Sequence, residues 1–381
     1  MLLSRMSLCV SLYLISAPLF APISAAGQQR KEGGDFSELA RRAASARDSD
    51  KLDKAVSLYR KALVLQPKWA EGWWSLGTIE YDRNEYDAAA RAFRRLVPLA
   101  PKDGTARAML GLCEFELGQD AEALGQLRQG LALGVATDPQ LQEVVLYHEG
   151  ILLLRAGQFK VAQTSFGMLC KMDIRSVKVM EGAGLAVLRI LPKDAPSSGS
   201  TGSEVIRRVG NAACLTAMKR FDEANQEYQK LLIDYPDFPN IHYAFGLSLM
   251  DSHDIPRAVE QFKIEINLDP KNVAARLEIA AALYKVDSSV ALPYAQEAVR
   301  LNPKWPFAHY LLGLLLLDTD QSPKAIPELE IAAKAFPREK KVFFALGSAY
   351  SRAGRRLEAE KARATFEQLN KETASDSTLS Y

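Results

Sequence analysis

Cysteine and histidine are scarce, with four of each in 381 residues. His148, His242, His253 and His309 form no HExxH pattern, and no CxxC or Cys/His cluster has metal-ligand spacing. Glycine loops of the GxGxxG and GxxxxGK[ST] kinds are missing, as is the GxSxG nucleophile elbow. Acidic pairs such as Glu114 and Glu116 are spaced as solvated or groove-facing residues, not as an acid/base pair. These absences leave no catalytic constellation, metal site or cofactor site, so no enzyme is expected.

An excess of one charge is also lacking. With 48 Lys+Arg against 46 Asp+Glu the net charge is +2, and bulk charge announces no nucleic-acid groove. What is present suits a folded chain: 48% hydrophobic and 25% charged residues leave ample apolar surface to bury. The length would hold two or three globular domains, but a fixed internal period favours one long array.

The N-terminus is composed differently. Arg5 precedes an apolar run from Leu8 to Ile15, broken by Pro18 and Pro22 and followed by Ser24-Ala25-Ala26. A positive start, a short apolar core and a Ser-x-Ala pattern ending at Ala26 read as a signal peptide over 1–26, so an exported, periplasmic or secreted protein is expected. The alternative is an uncleaved segment anchored in the membrane, although the run before Pro18 is short of the roughly 20 residues that span a bilayer. Cys9 follows Leu8 instead of a small residue, which argues against lipid attachment. Without the signal, Cys113, Cys170 and Cys214 remain, scattered and odd in number, and are expected as buried thiols. A polar linker is expected over 27–35.

From there the chain repeats itself. In Ala70–Asp103, Trp73, Leu76 and Gly77 stand at helical spacing, Tyr86, Ala89, Phe93 and Leu96 continue it, and Pro101 closes the unit. The same marks recur about every thirty-four residues. This pattern resembles the tetratricopeptide repeat. The resemblance implies an all-α fold, a right-handed superhelical α-solenoid of about nine helix-turn-helix repeats with one irregular insert. Four repeats are expected over 36–176 and five over 205–372, with an extra helix and a Pro/Gly/Ser-rich loop over 177–204 between them and a tail over 373–381. The repeat at Val273–Trp305 is one residue short, in the turn near Asp287. The resemblance further implies that glycine at the eighth place, as at Gly77, Gly246 and Gly347, marks the closest helix crossing, with the alanine at the twentieth place facing it.

In this family the second, fifth, ninth, twelfth and thirteenth places of each first helix point into a concave groove. The N-terminal repeats place Trp74, Tyr81, Phe115 and Tyr147 there. Beyond the insert come Tyr243, Met250 and Tyr284, then Phe307, Tyr310 and Phe344. The fourth place holds repeat-core residues, so Trp73, His242, His309 and Phe343 speak of fold. An apolar, aromatic groove suits an extended peptide or an amphipathic helix; the alternative is that neighbouring helices or a second copy cover it. Relatives that grip acidic chaperone tails use lysine and asparagine at the fifth and ninth places. Here those places hold Trp74/Thr78, Ala108/Leu112 and Tyr147/Ile151, so that clamp is missing.

The expected function is a non-catalytic protein–protein interaction scaffold binding a peptide or helix in this groove. The alternative is a membrane-tethered accessory subunit of an envelope enzyme or secretion assembly. A protein or peptide partner is expected, with no nucleic acid, small-molecule substrate or cofactor, and with an envelope or membrane-associated complex as a candidate setting.

Overall fold

Each thirty-four-residue stretch carries two apolar stripes at helical spacing with a turn between them, and each folds as a pair of helices. The computed structural model describes residues 28–135 and 139–378, with side-chain surroundings for 35–135 and 139–372. The expected signal peptide lies outside the described residues. Among the described residues every regular element is helical. The chain divides after Ile174 into two units.

The first unit is four hairpins. They are α1 (Gln28–Asp48) with α2 (Leu52–Leu65), α3 (Ala70–Asp82) with α4 (Tyr86–Leu96), α5 (Gly104–Glu116) with α6 (Asp120–Leu133), and α7 (Pro139–Arg155) with α8 (Phe159–Lys171). Helix α1 begins inside the stretch expected as a linker, because Gln28 to Glu32 are good helix formers with no proline among them.

The second unit opens with a single helix, α9 (Val177–Leu188), and a 3-10 turn (Pro192–Asp194). Five pairs follow: α10 (Thr201–Ala217) with α11 (Phe221–Asp234), α12 (Ile241–Asp251) with α13 (Ile255–Leu268), α14 (Val273–Leu283) with α15 (Ser288–Leu301), α16 (Pro306–Asp318) with α17 (Ser322–Ala335), and α18 (Lys340–Arg352) with α19 (Arg356–Thr378). Helix α19 runs on into the expected tail.

The turn within a pair has a fixed device. Its fifteenth-place residue is left-handed: Asp50, Asn84, Gly118, Gly157, Lys219, His253, Asp320 and Gly354 all have φ between 57° and 76°. That conformation lets the following amide reach back, as Glu85 N does to Glu80 O at 2.9 Å, and satisfies a carbonyl at the helix end. The short repeat lacks the device. Asp287 there is extended, with φ −156°, and instead caps α15 by accepting from the amides of Ser289 and Val290.

The helices of a pair cross where glycine stands at the eighth place. A Cβ on Gly246 would meet the Phe262 ring at 2.5 Å, and the ring is fully buried. The residue over the glycine is therefore the one at the twenty-fourth place, which corrects the expectation of alanine at the twentieth: Ala258 is buried, but Phe262 fills the crossing. In the last repeat the twenty-fourth place is Arg363, whose Cγ would lie 3.4 Å from a Cβ on Gly347.

Helix α9 packs against α10 backbone to backbone. A Cβ on Gly184 would lie 2.0 Å from Ile206 O, and one on Gly210 would lie 1.7 Å from Met180 O. No side chain fits at either position. Helix α9 also reaches α12, so it lies against two successive first helices of its unit. Among the cysteines Cys113 is a buried free thiol, as expected, whereas Cys170 and Cys214 are disulfide-bonded, which corrects the reading of all three as thiols.

Gly246→Ala should destabilise the protein by about 1–3 kcal/mol, the usual cost of overpacking a filled core, because the Phe262 ring has nowhere to go. Gly347→Ala should be neutral or stabilising by up to about 1 kcal/mol, through helix propensity alone. Urea unfolding of the two variants tests the contrast, and equal losses would contradict it.

Burial pushes the Cys113 thiol up to about 12, with Glu114 adding to the shift, and burial likewise pushes the Tyr350 hydroxyl up to about 12. Both groups lose their protons earlier in the unfolded chain, near 9 and 10. Above those values the unfolded state binds fewer protons than the folded one, so stability falls as pH rises toward 12. Thermal melting should therefore drop steadily from about pH 9 upward, and native Cys113 should resist iodoacetamide at pH 8. Rapid labelling of Cys113 in the folded protein would refute its burial.

Candidate partner-binding surface

On each first helix the residues three places before and four places after the crossing glycine flank it on the same side, at the edge of the contact with the second helix. In the N-terminal unit that side carries Trp74 and Tyr81 on α3, Phe115 on α5 and Tyr147 on α7. Trp74, Tyr81 and Phe115 are half-buried and seat on one shared core that includes Phe93, Leu112 and Cys113. Trp74 meets Phe93 edge-on at 5.8 Å, and Tyr81 meets Tyr86 at 5.4 Å. Phe115 packs against the His148 ring at 4.6 Å, and Tyr147 contacts both His148 and Phe166. The four predicted residues are thus brought onto successive first helices.

Carboxylates sit beside these rings. Asp82 follows Tyr81, and Glu116 follows Phe115. Burial raises the pKa of both, and the Arg155 guanidinium partly offsets the rise at Glu116. The Tyr81 hydroxyl is held well above its usual value, first by burial and then by Glu116.

The C-terminal unit is divided in its treatment of the predicted residues. Tyr284 and Tyr310 are partly buried against one core, Met250 is half-buried, and Phe307 and Phe344 are open at 42% and 62% exposure. Tyr243 is enclosed at 3% exposure, which corrects its assignment as an open anchor. Its ring lies against Phe262 at 5.8 Å, with the Arg189 guanidinium 6.0 Å from the ring centre. Arg189 caps α9 in the left-handed conformation and also stacks on Trp305 at 5.6 Å. The insert therefore supplies Tyr243's cover.

A buried polar chain holds the insert there. Asn240 Nδ2 donates to Leu188 O at 3.0 Å, and Asn272 Nδ2 donates to Asn240 Oδ1 at 2.9 Å. Glu265 accepts from the amides of Asn240 and Tyr243. Neither α9's role nor this chain was foreseen; the asparagines opening two successive first helices were the available signal.

The fourth-place residues behave as core. Trp73 Nε1 donates to Pro67 O at 2.8 Å, and His309 Nε2 makes the same contact with Pro303 O at 2.9 Å. His309 Nδ1 also pairs with Glu328 at 2.6 Å, while His242 Nδ1 meets Gln261 at 2.7 Å. Trp73 and His309 are thus tied to the closing proline of the preceding repeat, and His242 and His309 to the second helix of their own. Among the described residues no group of three or more His, Cys, Asp or Glu is placed to hold a metal, and no helix is long and apolar enough to cross a membrane.

Family comparison agrees with this architecture. A tetratricopeptide repeat family model matches residues 41–104, 80–139, 281–339 and 310–368, and a second matches 212–237, together more than half of the chain. Superkiller protein 3 of Schizosaccharomyces pombe is 29% identical over 135 residues, which is 33% of this chain and 10% of that protein. The general transcriptional corepressor ssn6 of the same organism is 30% identical over 133 residues, 35% of this chain and 12% of that protein. The chain thus spans about a tenth of the length of these relatives.

Among solved structures, MamA from Desulfovibrio magneticus RS-1, residues 41 to the end, is 24% identical with a TM-score of 0.42, covering 45% of this chain and 98% of that one. A tetratricopeptide repeat protein from Parabacteroides merdae is 16% identical with a TM-score of 0.34, covering 74% and 99%. Tetratricopeptide repeat proteins generally serve as non-catalytic scaffolds for protein partners, and the helix pairs and family matches together show that this chain belongs to the tetratricopeptide repeat family.

Proposed function

We propose that this protein is an exported, non-catalytic scaffold that holds an extended peptide or amphipathic helix of a protein partner on its first-helix face, chiefly in the N-terminal unit. The observation that carries this reading is the row Trp74, Tyr81, Phe115 and Tyr147, half-buried on successive first helices, the first three over one shared core and Tyr147 against Phe166. Rings fixed from behind offer large contact area at little ordering cost, the property of binding anchors. Phe307 and Phe344 offer a second, smaller apolar surface in the C-terminal unit.

Export is supported by the pattern of residues 5–26 and by the disulfide-bonded state of Cys170 and Cys214, since such bonds persist in oxidising compartments.

Affinity purification from the native source, followed by mass spectrometry, tests the surface. Trp74→Ala combined with Phe115→Ala should lose the partners that the unaltered protein captures, while helical circular dichroism stays the same. An unchanged set of captured proteins from the folded variant would refute the site. N-terminal sequencing tests the export reading: the mature chain should begin at Gly27, and a chain that retains the first residues would favour the membrane-tethered subunit instead.

A further inference from the structure

The end of helix α9 is held at the openings of three successive first helices. Asn240 stands at the N-cap of α12, Asn272 at that of α14 and Trp305 at that of α16. Together they take up one pair of residues. Asn240 Nδ2 donates to Leu188 O at 3.0 Å, and Asn272 Nδ2 fixes Asn240 by donating to its Oδ1 at 2.9 Å. The Arg189 guanidinium lies 5.6 Å from the Trp305 ring centre and 6.0 Å from that of Tyr243.

A backbone carbonyl read by a side-chain amide, next to a cation read by two aromatic rings, is the way a binding site holds a ligand. Helix C-termini leave their last carbonyls without intrahelical partners, and Asn240 satisfies one of them. The cation needs a different explanation. Helix openings carry partial positive charge, which disfavours a guanidinium, so it is the rings that hold it. Glycine would adopt the left-handed φ of 59° at Arg189 freely, so the backbone does not account for an arginine there.

We propose that the C-terminal unit carries a recognition site for an arginine that ends a helix, and that the insert fills this site in cis as an autoinhibitory contact. The inference rests on the first-helix-face reading above and deepens it: partner binding is confined to the N-terminal unit because the matching face of the C-terminal unit is already taken. Tyr243 holds the same fifth place as Trp74, yet it is 3% exposed where Trp74 is half-buried. Every described helix of the N-terminal unit belongs to a pair, and none is left over to act as α9 does. The glycine contacts at Gly184 and Gly210 anchor α9 on α10, so the occupant is tethered beside its site. A tethered segment competes at an effective concentration of about millimolar or more, and a free segment of the same chemistry meets a closed site.

Arg189→Ala empties the aromatic seat and leaves α9 anchored at its glycines. The test is a selection of displayed random peptides on full-length Arg189→Ala, on the unaltered protein and on Trp74→Ala/Phe115→Ala, with circular dichroism confirming the fold of each. Arg189→Ala should enrich arginine-bearing peptides that the unaltered protein does not, and should bind them about tenfold more tightly than the unaltered protein does. Those peptides should also change the fluorescence of Trp305, and adding Trp305→Ala should abolish their enrichment. Asn240→Asp keeps the shape of the side chain but removes the donor to Leu188 O; it should admit the same peptides, and it carries the test if Arg189→Ala does not fold. Equal enrichment by the opened and unaltered proteins, or newly enriched peptides without arginine, would overturn the proposal. The groove reading survives that result if the unaltered protein enriches peptides that Trp74→Ala/Phe115→Ala does not. If neither the unaltered nor the opened protein enriches any peptide, both readings fall.

Discussion

A bulky side chain of the second helix, seated directly on glycine backbone of the first, fixes the geometry of each repeat. Phe93 stands over Gly77, Leu127 over Gly111, Phe166 over Gly150, Phe262 over Gly246 and Leu329 over Gly313. The cost of glycine inside a helix, about 1 kcal/mol relative to alanine, is offset by burial of a whole Phe or Leu side chain. The same contact decides where function can lie. Trp74, three residues before Gly77, and Tyr81, four after it, flank this contact, and Phe115 flanks Gly111 in the same way, so their rings stand at its edge, Trp74 against Phe93 and Tyr81 against Tyr86.

Successive repeats are registered by a second device that keeps the same period. Arg60 Nη2 on α2 pairs with Glu80 on α3 at 2.6 Å, Arg94 Nη2 on α4 with Glu114 on α5 at 3.0 Å, and Arg128 Nε on α6 with Glu149 on α7 at 3.5 Å. The arginines fall thirty-four residues apart, each reaching from the second helix of one repeat to the first helix of the next. The carboxylates are nearly buried, so each depends on its arginine; burying an ion pair adds little net stability, but losing one partner leaves an uncompensated charge. The ladder thus penalises misalignment more than it strengthens the stack.

The helical pairs were legible in the sequence because the apolar spacing and the eighth-place glycines state them directly. Place fifteen was harder to read. Its residues are Asp, Asn, Gly, Lys and His, and what they share is a backbone conformation, φ near +60°, which no side-chain pattern spells out. This position also accounts for His253, which no motif had explained. Adjacent Trp73 and Trp74 are both half-buried and differ in their contacts, Trp73 Nε1 donating to Pro67 O and Trp74 lying edge-on to Phe93. The enclosure of Tyr243 was not legible, because it depends on Arg189 and Leu188, more than fifty residues upstream in an insert that follows no repeat.

That insert gives meaning to the difference between the two units. Helix α9 uses glycine contacts to press onto α10, then extends a left-handed arginine and a backbone carbonyl over the next first helices. A first-helix face can therefore be satisfied by a short helix ending in a cation, and here the chain itself provides one. Where it does so, Tyr243 is sealed and has no further binding to offer. At Phe115 the chain also stacks an arginine on a first-helix ring, Arg155 at 4.8 Å, yet that ring stays half-buried where Tyr243 is closed off.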